Sequence, residues 1–528
     1  MKKPWHAFYP PSVPYEMEIP LCSIYHFLER ATQDFPHHSA IIEADVELTY
    51  TELKHAVDRF AAALYRRGCR KGDRLGIMLY NCKEYIISYF AVQRLGGIVV
   101  QLNPMFQQRE LQIMLDDSEP SWLICESSQI EKLERTAYTN KFTIITTDGN
   151  QYGYASVTQW IDEENDMLPP LQINSKDDIA VLQYTGGTTG TPKGVMITHY
   201  NTVASTYHTS ITDEGALQRP SERFLGVFPM FHGAGLMVMM AAIFHAGAYI
   251  PIRHFRIHEA LPVIRKYRPS HLSASPTVFV SLVNHSDFQD DDLRSLKICR
   301  SGAAPIPLEI LRAFEHKSGV RISEAYGLTE SNAVFVRVFG KGARKTGSVG
   351  IPVPNSHVRI VDIETGLKEM PPGATGEIVL KGPQIMKGYW KKPEETAQTI
   401  RDGWLYTGDT GMLDEDGFLY VVGRKKEMII AGGYNIYPNE IDEVLYQHPA
   451  VAEACTFGIP DAYRGETVKA AIVVKKDHSL TEEEIVEWCK ERLAKYKVPR
   501  LIEFREQLPK SAVGKILRRI LVEENRTH

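Results

Sequence analysis

Two short apolar runs bracket a loop made almost entirely of glycine and threonine, and that arrangement restricts the fold more than any other feature of the chain. Ile179-Ala-Val-Leu182 leads into Tyr184-Thr-Gly-Gly-Thr-Thr-Gly-Thr-Pro-Lys-Gly-Val195, and Val195-Met-Ile197 follows. The dozen residues of the loop segment hold four glycines, four threonines and one lysine. Apolar residues of β type running into dense Gly and Thr predict a strand, a loop and a second strand. Glycine lets a backbone approach an anion and turn its N–H groups toward it. Threonine hydroxyls add donors and Lys193 adds a positive charge, so the loop reads as a nucleotide triphosphate site. A Walker-type P-loop is excluded, because that motif carries its lysine into a helix. Here Lys193 precedes Gly194 and a strand. No G-x-G-x-x-G dinucleotide fingerprint fits the stretch. The plain alternative is a flexible linker, but such linkers rarely sit between two apolar strands with Pro-Lys-Gly inside.

The remainder of the chain supplies an α/β frame. Strand-like runs at 75–79, 98–100, 121–125, 142–146, 224–227 and 296–299 alternate with helical patterns at 84–95, from about 235, and at 307–316. That alternation predicts largely parallel sheets covered by helices. From about Gly350 the texture changes to short strands at 358–361, 376–380 and 418–422 between Gly/Pro turns, a β-rich subdomain spanning about 350–422. A compact α/β tail follows: strand 428–430, helix 439–446, strand 470–474, helix 481–493. The boundary falls at the charge run Gly423-Arg-Lys-Lys-Glu427, giving domains 1–425 and 426–528; on pattern alone that run is equally a solvated turn. A length of 528 residues allows two or three domains with sizeable cores.

Composition excludes several classes of function. Sixty basic residues against 65 acidic ones give a net charge of −5, without the basic excess of a nucleic-acid binder. Seven cysteines are scattered without a C-x-x-C pair, so they read as reduced thiols of a cytoplasmic protein. The basic N-terminus precedes no apolar stretch of signal-peptide type. The most apolar segment, Gly235–Ile252, is broken by His245 and Gly247 and reads as a buried helix plus strand, so no transmembrane segment is expected. His254 and His258 have i, i+4 spacing but lack the acidic partner of a zinc site.

Tyr184–Val195 resembles the phosphate-loop signature of the adenylate-forming enzymes, a superfamily that includes acyl-CoA synthetases, 4-coumarate ligases, peptide-synthetase adenylation domains and luciferases. Gly186 stands where the usual loop has serine, a variant similar to bacterial long-chain fatty acyl-CoA synthetases. The resemblance covers nearly the whole chain, with further motifs in the expected order up to residue 515. It implies a large N-terminal domain of stacked α/β sheets with a β-rich subdomain, and a small mobile C-terminal α+β domain hinged at Lys426.

The resemblance also assigns roles. Thr185, Gly186, Gly187, Thr188, Thr189, Gly190 and Lys193 would grip the phosphates of ATP. In Ser323-Glu-Ala-Tyr-Gly-Leu-Thr-Glu330, Tyr326 and Gly327 would face adenine, Thr329 the α-phosphate, and Glu330 the Mg²⁺ ion, which favours carboxylate together with phosphate oxygens. Gly302, Ala303 and Ala304 would flank the base. Asp409, in Gly403-Trp-Leu-Tyr-Thr-Gly-Asp-Thr-Gly411, would accept both ribose hydroxyls, with Arg424 beside it. Lys515, in Pro509-Lys-Ser-Ala-Val-Gly-Lys515, would be the catalytic lysine. His232, in Phe228-Pro-Met-Phe-His-Gly-Ala-Gly-Leu236, would position the acyl group, with Gly233 and Ala325 lining its pocket. Gly432, Gly433 and Tyr434 would line the coenzyme A tunnel. Read locally, several of these have plainer alternatives: a helix start at Thr329, a turn at Ser301–Pro305, a capping histidine at 232, an amphipathic helix end at Lys515.

The expected activity is that of a fatty acyl-CoA synthetase with ATP, Mg²⁺ and CoA as co-substrates or cofactors. Medium- to long-chain acids come first and aryl acids next: the Ala325 methyl, where glycine is usual, would shorten or redirect the acyl tunnel, while Gly233-Ala-Gly235 would leave room. An acyl-AMP ligase loading a carrier protein is a further alternative, disfavoured because no insertion precedes the hinge. A non-enzymatic paralogue is disfavoured by intact Lys515, Glu330 and Asp409. Oligomeric state (monomer or homodimer) and peripheral membrane contact stay open.

Overall fold

In a computed structural model, the structure describes residues 3–526 apart from 137–140, 150–152, 166, 186–191, 214, 341, 432–433, 462 and 477. Among these residues four sheets organise the chain. A seven-stranded sheet contains parallel strands Arg74–Met78, Ile98–Gln101, Trp122–Cys125, Thr143–Thr146 and Ile179–Thr185. Lys193–Thr198 and Gly388–Tyr389 complete it as antiparallel edge strands. A nine-stranded sheet has Ser39–Glu43, Arg223–Gly226, Ala248–Pro251, His271–Ala274, Ile298–Ser301 and Ile322–Tyr326 as its parallel centre.

Helices fill the space between the two large sheets, and the period-2 alternation of the strands explains how. Val99 belongs to the continuous central core, while its neighbours Ile98 and Val100 face a second cluster under the helix Gln108–Ser118. A strand covered on both faces is apolar on both faces. The helix Gly233–Phe244 is apolar all round because it lies inside this central layer. The segment Gly235–Ile252 is thus a buried helix, a turn and the strand Ala248–Pro251, and no described helix is long and apolar enough to cross a membrane.

The third sheet, antiparallel, joins His357–Val361, Gly376–Lys381, Ile400–Arg401, Trp404–Leu413 and Leu419–Arg424. The short turn Lys425–Glu427 follows. The fourth sheet then begins at Ile429 and has its own core of Ile429, Ile436, Ile441, Leu445, Val468 and Ile485. Two long strands, Trp404–Leu413 and Val451–Asp461, escape a sequence reading because glycines and a proline interrupt their patterns. Other bounds move by a few residues: the strand at 296–299 runs Ile298–Ser301, the helix at 235 starts at Gly233, and that at 481–493 ends at Lys490.

Candidate active site

The glycine–threonine segment joins two paired strands. Thr185 stands opposite Lys193 in the antiparallel register of Ile179–Thr185 and Lys193–Thr198. Gly186, Gly187, Thr188, Thr189 and Gly190 lie outside the described residues, as do Gly432 and Gly433. The base of the loop is propped from below. The Tyr184 hydroxyl donates to Asp117 Oδ2 at 2.6 Å, and the Trp390 indole N–H donates to the Asp117 carbonyl at 3.1 Å. Lys193 forms an ion pair with Glu395, and its ammonium lies 5.0 Å from the centre of the Tyr389 ring. The Tyr389 hydroxyl donates to Glu330 Oε1 at 2.9 Å. One tyrosine therefore links the loop lysine to the carboxylate expected near Mg²⁺.

Glu330 sits in the tight turn Thr329–Ser331, directly after the strand Ile322–Tyr326. Gly327 makes that geometry possible: a Cβ there would stand 1.4 Å from the Ala333 carbonyl oxygen. No group of three or more described His, Cys, Asp or Glu residues could hold a metal ion unaided. A lone carboxylate beside a triphosphate loop fits Mg²⁺, which keeps waters and takes oxygens from its nucleotide.

The opposite wall is built around Asp409. Asp409 and Arg424 are register partners across the antiparallel pair Trp404–Leu413 and Leu419–Arg424. Arg424 Nε lies 3.3 Å from Asp409 Oδ1, and the Tyr326 hydroxyl donates to Oδ2 at 2.8 Å. Asp409 is only 7% exposed. Burial pushes its carboxyl pKa up, against the pull of Arg424, the Tyr326 hydrogen bond and Lys515. Ala303 takes a left-handed backbone with φ 69° at the end of the strand Ile298–Ser301, and Gly302 has open space on its Cβ side. Gly302 and Ala304 are half-buried and Ala303 is exposed, a ledge suited to a flat base.

His232 caps the helix Gly233–Phe244, its Nδ1 accepting from Ala234 N at 3.2 Å. Burial, helped by the Lys515 charge, pushes its pKa down to about 4, so the ring is neutral at neutral pH. A Cβ on Gly233 would stand 3.0 Å from Gln183 Oε1, and one on Gly235 would stand 2.1 Å from the Pro229 carbonyl oxygen, so this turn requires glycine at 235. Asn81 holds the preceding segment with every polar atom it has. Its amide donates to the Gly226 and Phe228 carbonyls at 2.9 Å each, and its oxygen accepts from Met230 N at 2.7 Å. Ala325 is half-buried on the strand below.

Lys515 arrives from the fourth-sheet unit on the loop 509–517. Gly514 has φ 77°, and a Cβ there would stand 2.3 Å from Thr277 Oγ1, so the loop presses against Ser275–Thr277 of the large unit. A cavity of about 380 Å³ opens beside it, lined by Tyr80, Phe228, Phe231, Val278 and the loop itself. The Lys515 side chain is exposed, yet protein crowds it on enough sides to lower its pKa to about 8. Lost solvation is the main cause and the Arg424 charge adds to it, while Glu427 and Asp409 pull the other way. The charge of Lys515 is felt at both His232 and Asp409, residues of two other motifs. Tyr434 instead stacks on Tyr496 within the fourth-sheet unit, ring centres 4.4 Å apart, and is 54% exposed.

Sequence reasoning missed Asn81, Tyr389, Glu395 and Asp117. Tyr389 belongs to a segment, Gly382–Trp390, with a family-like wording, but a single Asn, Glu or Asp in a polar turn carries no local signal of its role.

Known proteins resemble this chain over its whole length. The sequence model described as AMP-binding enzyme matches residues 28–390, and that of the AMP-binding enzyme C-terminal domain matches 440–515. A long-chain-fatty-acid–CoA ligase of Bacillus subtilis (strain 168) is 41% identical, covering 99% of this chain and 98% of the relative. A crystal structure of an anthranilate CoA ligase in complex with anthranoyl-AMP superposes with TM-score 0.89 at 28% identity, covering 96% of this chain and 98% of that one. The o-succinylbenzoate coenzyme A synthetase of Bacillus subtilis in complex with ATP and magnesium ion gives TM-score 0.81 at 30% identity, with 95% and 99% coverage.

Proposed function

This chain belongs to the AMP-binding enzyme family and is an AMP-forming acid–CoA ligase using ATP, Mg²⁺ and CoA, and from that premise we propose that its acid is a medium- or long-chain fatty acid. The observation that carries the site reading is the geometry at Asp409, which Arg424 Nε approaches at 3.3 Å and the Tyr326 hydroxyl at 2.8 Å, together with the packing of the Lys515 loop on Ser275–Thr277. The fatty-acid reading is supported by the relative named a long-chain-fatty-acid–CoA ligase.

The residues divide the work as follows. Asp409, oriented by Tyr326 and Arg424, accepts the ribose hydroxyls, while the ledge at Gly302–Ala304 and the Tyr326 ring hold adenine. Lys193 binds the triphosphate, exchanging Glu395 for phosphate. Thr329 donates to the α-phosphate, and Glu330, fixed by Tyr389, would hold Mg²⁺. Magnesium supplies charge neutralisation on the triphosphate when bound. The acid's carboxylate oxygen bonds to the α-phosphorus as the bond to pyrophosphate breaks, and the Lys515 ammonium offsets charge on the oxygens between them. Neutral His232 then leaves the acyl carbon approachable to the CoA thiol, whose sulfur bonds to that carbon as the bond to AMP breaks and the thiol proton passes to water. Tyr434, exposed on the fourth-sheet unit, lines the thiol's path after the unit 426–528 has turned about Lys426.

Three tests belong here. Pyrophosphate release across fatty and aryl acids, with and without CoA, is expected to show the highest kcat/KM on fatty acids of medium to long chain and CoA-dependent turnover. A preference for aryl acids, or turnover indifferent to CoA, would overturn the substrate reading. Second, the Lys515 pKa is lowered toward neutrality, so its charged form dominates below about 8. The kcat/KM for ATP in adenylation should be level below that pH and fall about tenfold per unit above it, since kcat/KM reports the free enzyme's essential groups. Third, Lys426→Pro removes a backbone donor and fixes φ at the turn. It should slow thioester formation more than adenylation, whereas an unchanged ratio of the two rates would remove Lys426 as the hinge.

A further inference from the structure

Arg518 stands three residues beyond Lys515, at the start of the helix Arg518–Arg526, and its side chain is only 14% exposed. It spends its whole guanidinium on four groups. Nη1 pairs with Glu427, and Nη2 donates to Asp442 Oδ2 at 2.7 Å and to Asn439 Oδ1 at 3.1 Å. Nε donates to the Thr456 carbonyl at 2.7 Å. Asp442 is itself fixed, since its other oxygen accepts from Thr456 N at 2.6 Å. A planar fork with five donors suits such a junction, and an ammonium does not.

What these contacts join is specific. Glu427 is the residue directly after Lys426 and closes the turn Lys425–Glu427. On the other side, Arg518 begins where the Lys515 loop ends. That loop is closed on itself: Leu517 N donates to the Pro509 carbonyl at 2.8 Å, Ser511 N to the Lys515 carbonyl at 2.8 Å, and Gly514 N to the Ser511 carbonyl at 2.9 Å. At its far end Lys510 pairs with Glu453 of the same unit. The loop is thus a preformed arm whose root is bolted to the turn.

We propose that Arg518 is a positioning residue that couples the 425–427 turn to the Lys515 loop, so that rotation at the turn carries Lys515 as part of one rigid body. This rests on the reading of Lys426 as hinge and Lys515 as the adenylation lysine. The contacts explain why a lysine on a loop at the far end of the chain can be placed to ångström accuracy by motion at one turn. Without the fork, the turn and the loop move independently, and Lys515 loses its place while the residues serving thioester formation keep theirs.

The test compares Arg518→Lys and Glu427→Gln in the full-length protein. Hydrogen exchange is expected to quicken together at the Met428 amide, which donates to the Arg424 carbonyl, and across 510–517 in Arg518→Lys. Adenylation should fall by about tenfold or more in both variants, with thioester formation from supplied acyl-adenylate within about threefold of the parent, because small misplacements of a reacting group cost rates disproportionately. Quickened exchange confined to one of the two segments, a silent Glu427→Gln, or an equal loss in both half-reactions would overturn the coupling and leave Arg518 as a staple of its own unit. Lys515→Ala run alongside separates this from the premise. If that variant retains adenylation, the lysine's role fails, while the exchange result still decides the coupling.

Discussion

Lys515→Ala is expected to lower acid-dependent pyrophosphate release by about 100- to 1,000-fold, the cost of removing one preorganised charge-stabilising group. Lys515 is held on a loop closed by its own backbone hydrogen bonds and pressed against Ser275–Thr277 by Gly514. Its charge is felt at Asp409, the residue expected to hold the ribose, and at His232, the residue expected beside the acyl group. Lys193 cannot substitute, because it sits at the loop base, paired with Glu395 and over Tyr389. Thioester formation from a supplied acyl-adenylate should be largely spared, since the α-phosphate has by then been attacked. The check is to measure the two half-reactions separately. Equal loss in both would strip Lys515 of its assigned part.

Gly327→Ala is the second large effect, and it follows from space alone. The added methyl would stand 1.4 Å from the Ala333 carbonyl oxygen and 2.6 Å from its carbon, so backbone and not a pliant side chain must move. The turn has little room to yield: Asn332 and Ala333 already have φ of 48° and 80°. Overpacking of this kind costs about 1–3 kcal/mol of stability. The larger consequence is functional, because Tyr326, Thr329 and Glu330 flank the displaced atom. A shift near 1 Å at such groups lowers rates by about 100-fold. ATP-dependent adenylation should fall to that extent, with weakened ATP binding measured by calorimetry. A variant that binds ATP and turns over like the parent would show that the turn relaxes without moving Tyr326 or Glu330.

Much of this site was legible because its residues sit in local motifs whose chemistry is local. Glycine marks positions where a Cβ has no room, and Gly327, Gly235 and Gly514 bear that out in space. Apolar runs of four or five residues gave most of the parallel strands, since burial on both faces requires them. Asn81 was invisible, because its three bonds go to backbone of a segment far along the chain. So were Glu395 and Asp117, whose partners Lys193 and Tyr184 are distant in sequence.

The sequence by itself determined the family, the α/β frame and the residue types available for binding a triphosphate, a ribose and an acyl group. These depend on spacing within a dozen residues, where side-chain periodicity and turn chemistry act directly. Only the tertiary structure decided that Asp409 would be oriented by Tyr326, 83 positions away, and that Glu330 would be fixed by Tyr389. It alone showed Arg518 tying the turn after Lys426 to the Lys515 loop. Such pairings are made when separate elements close on one another, and a short hydrogen bond between distant residues leaves no periodic trace in either segment.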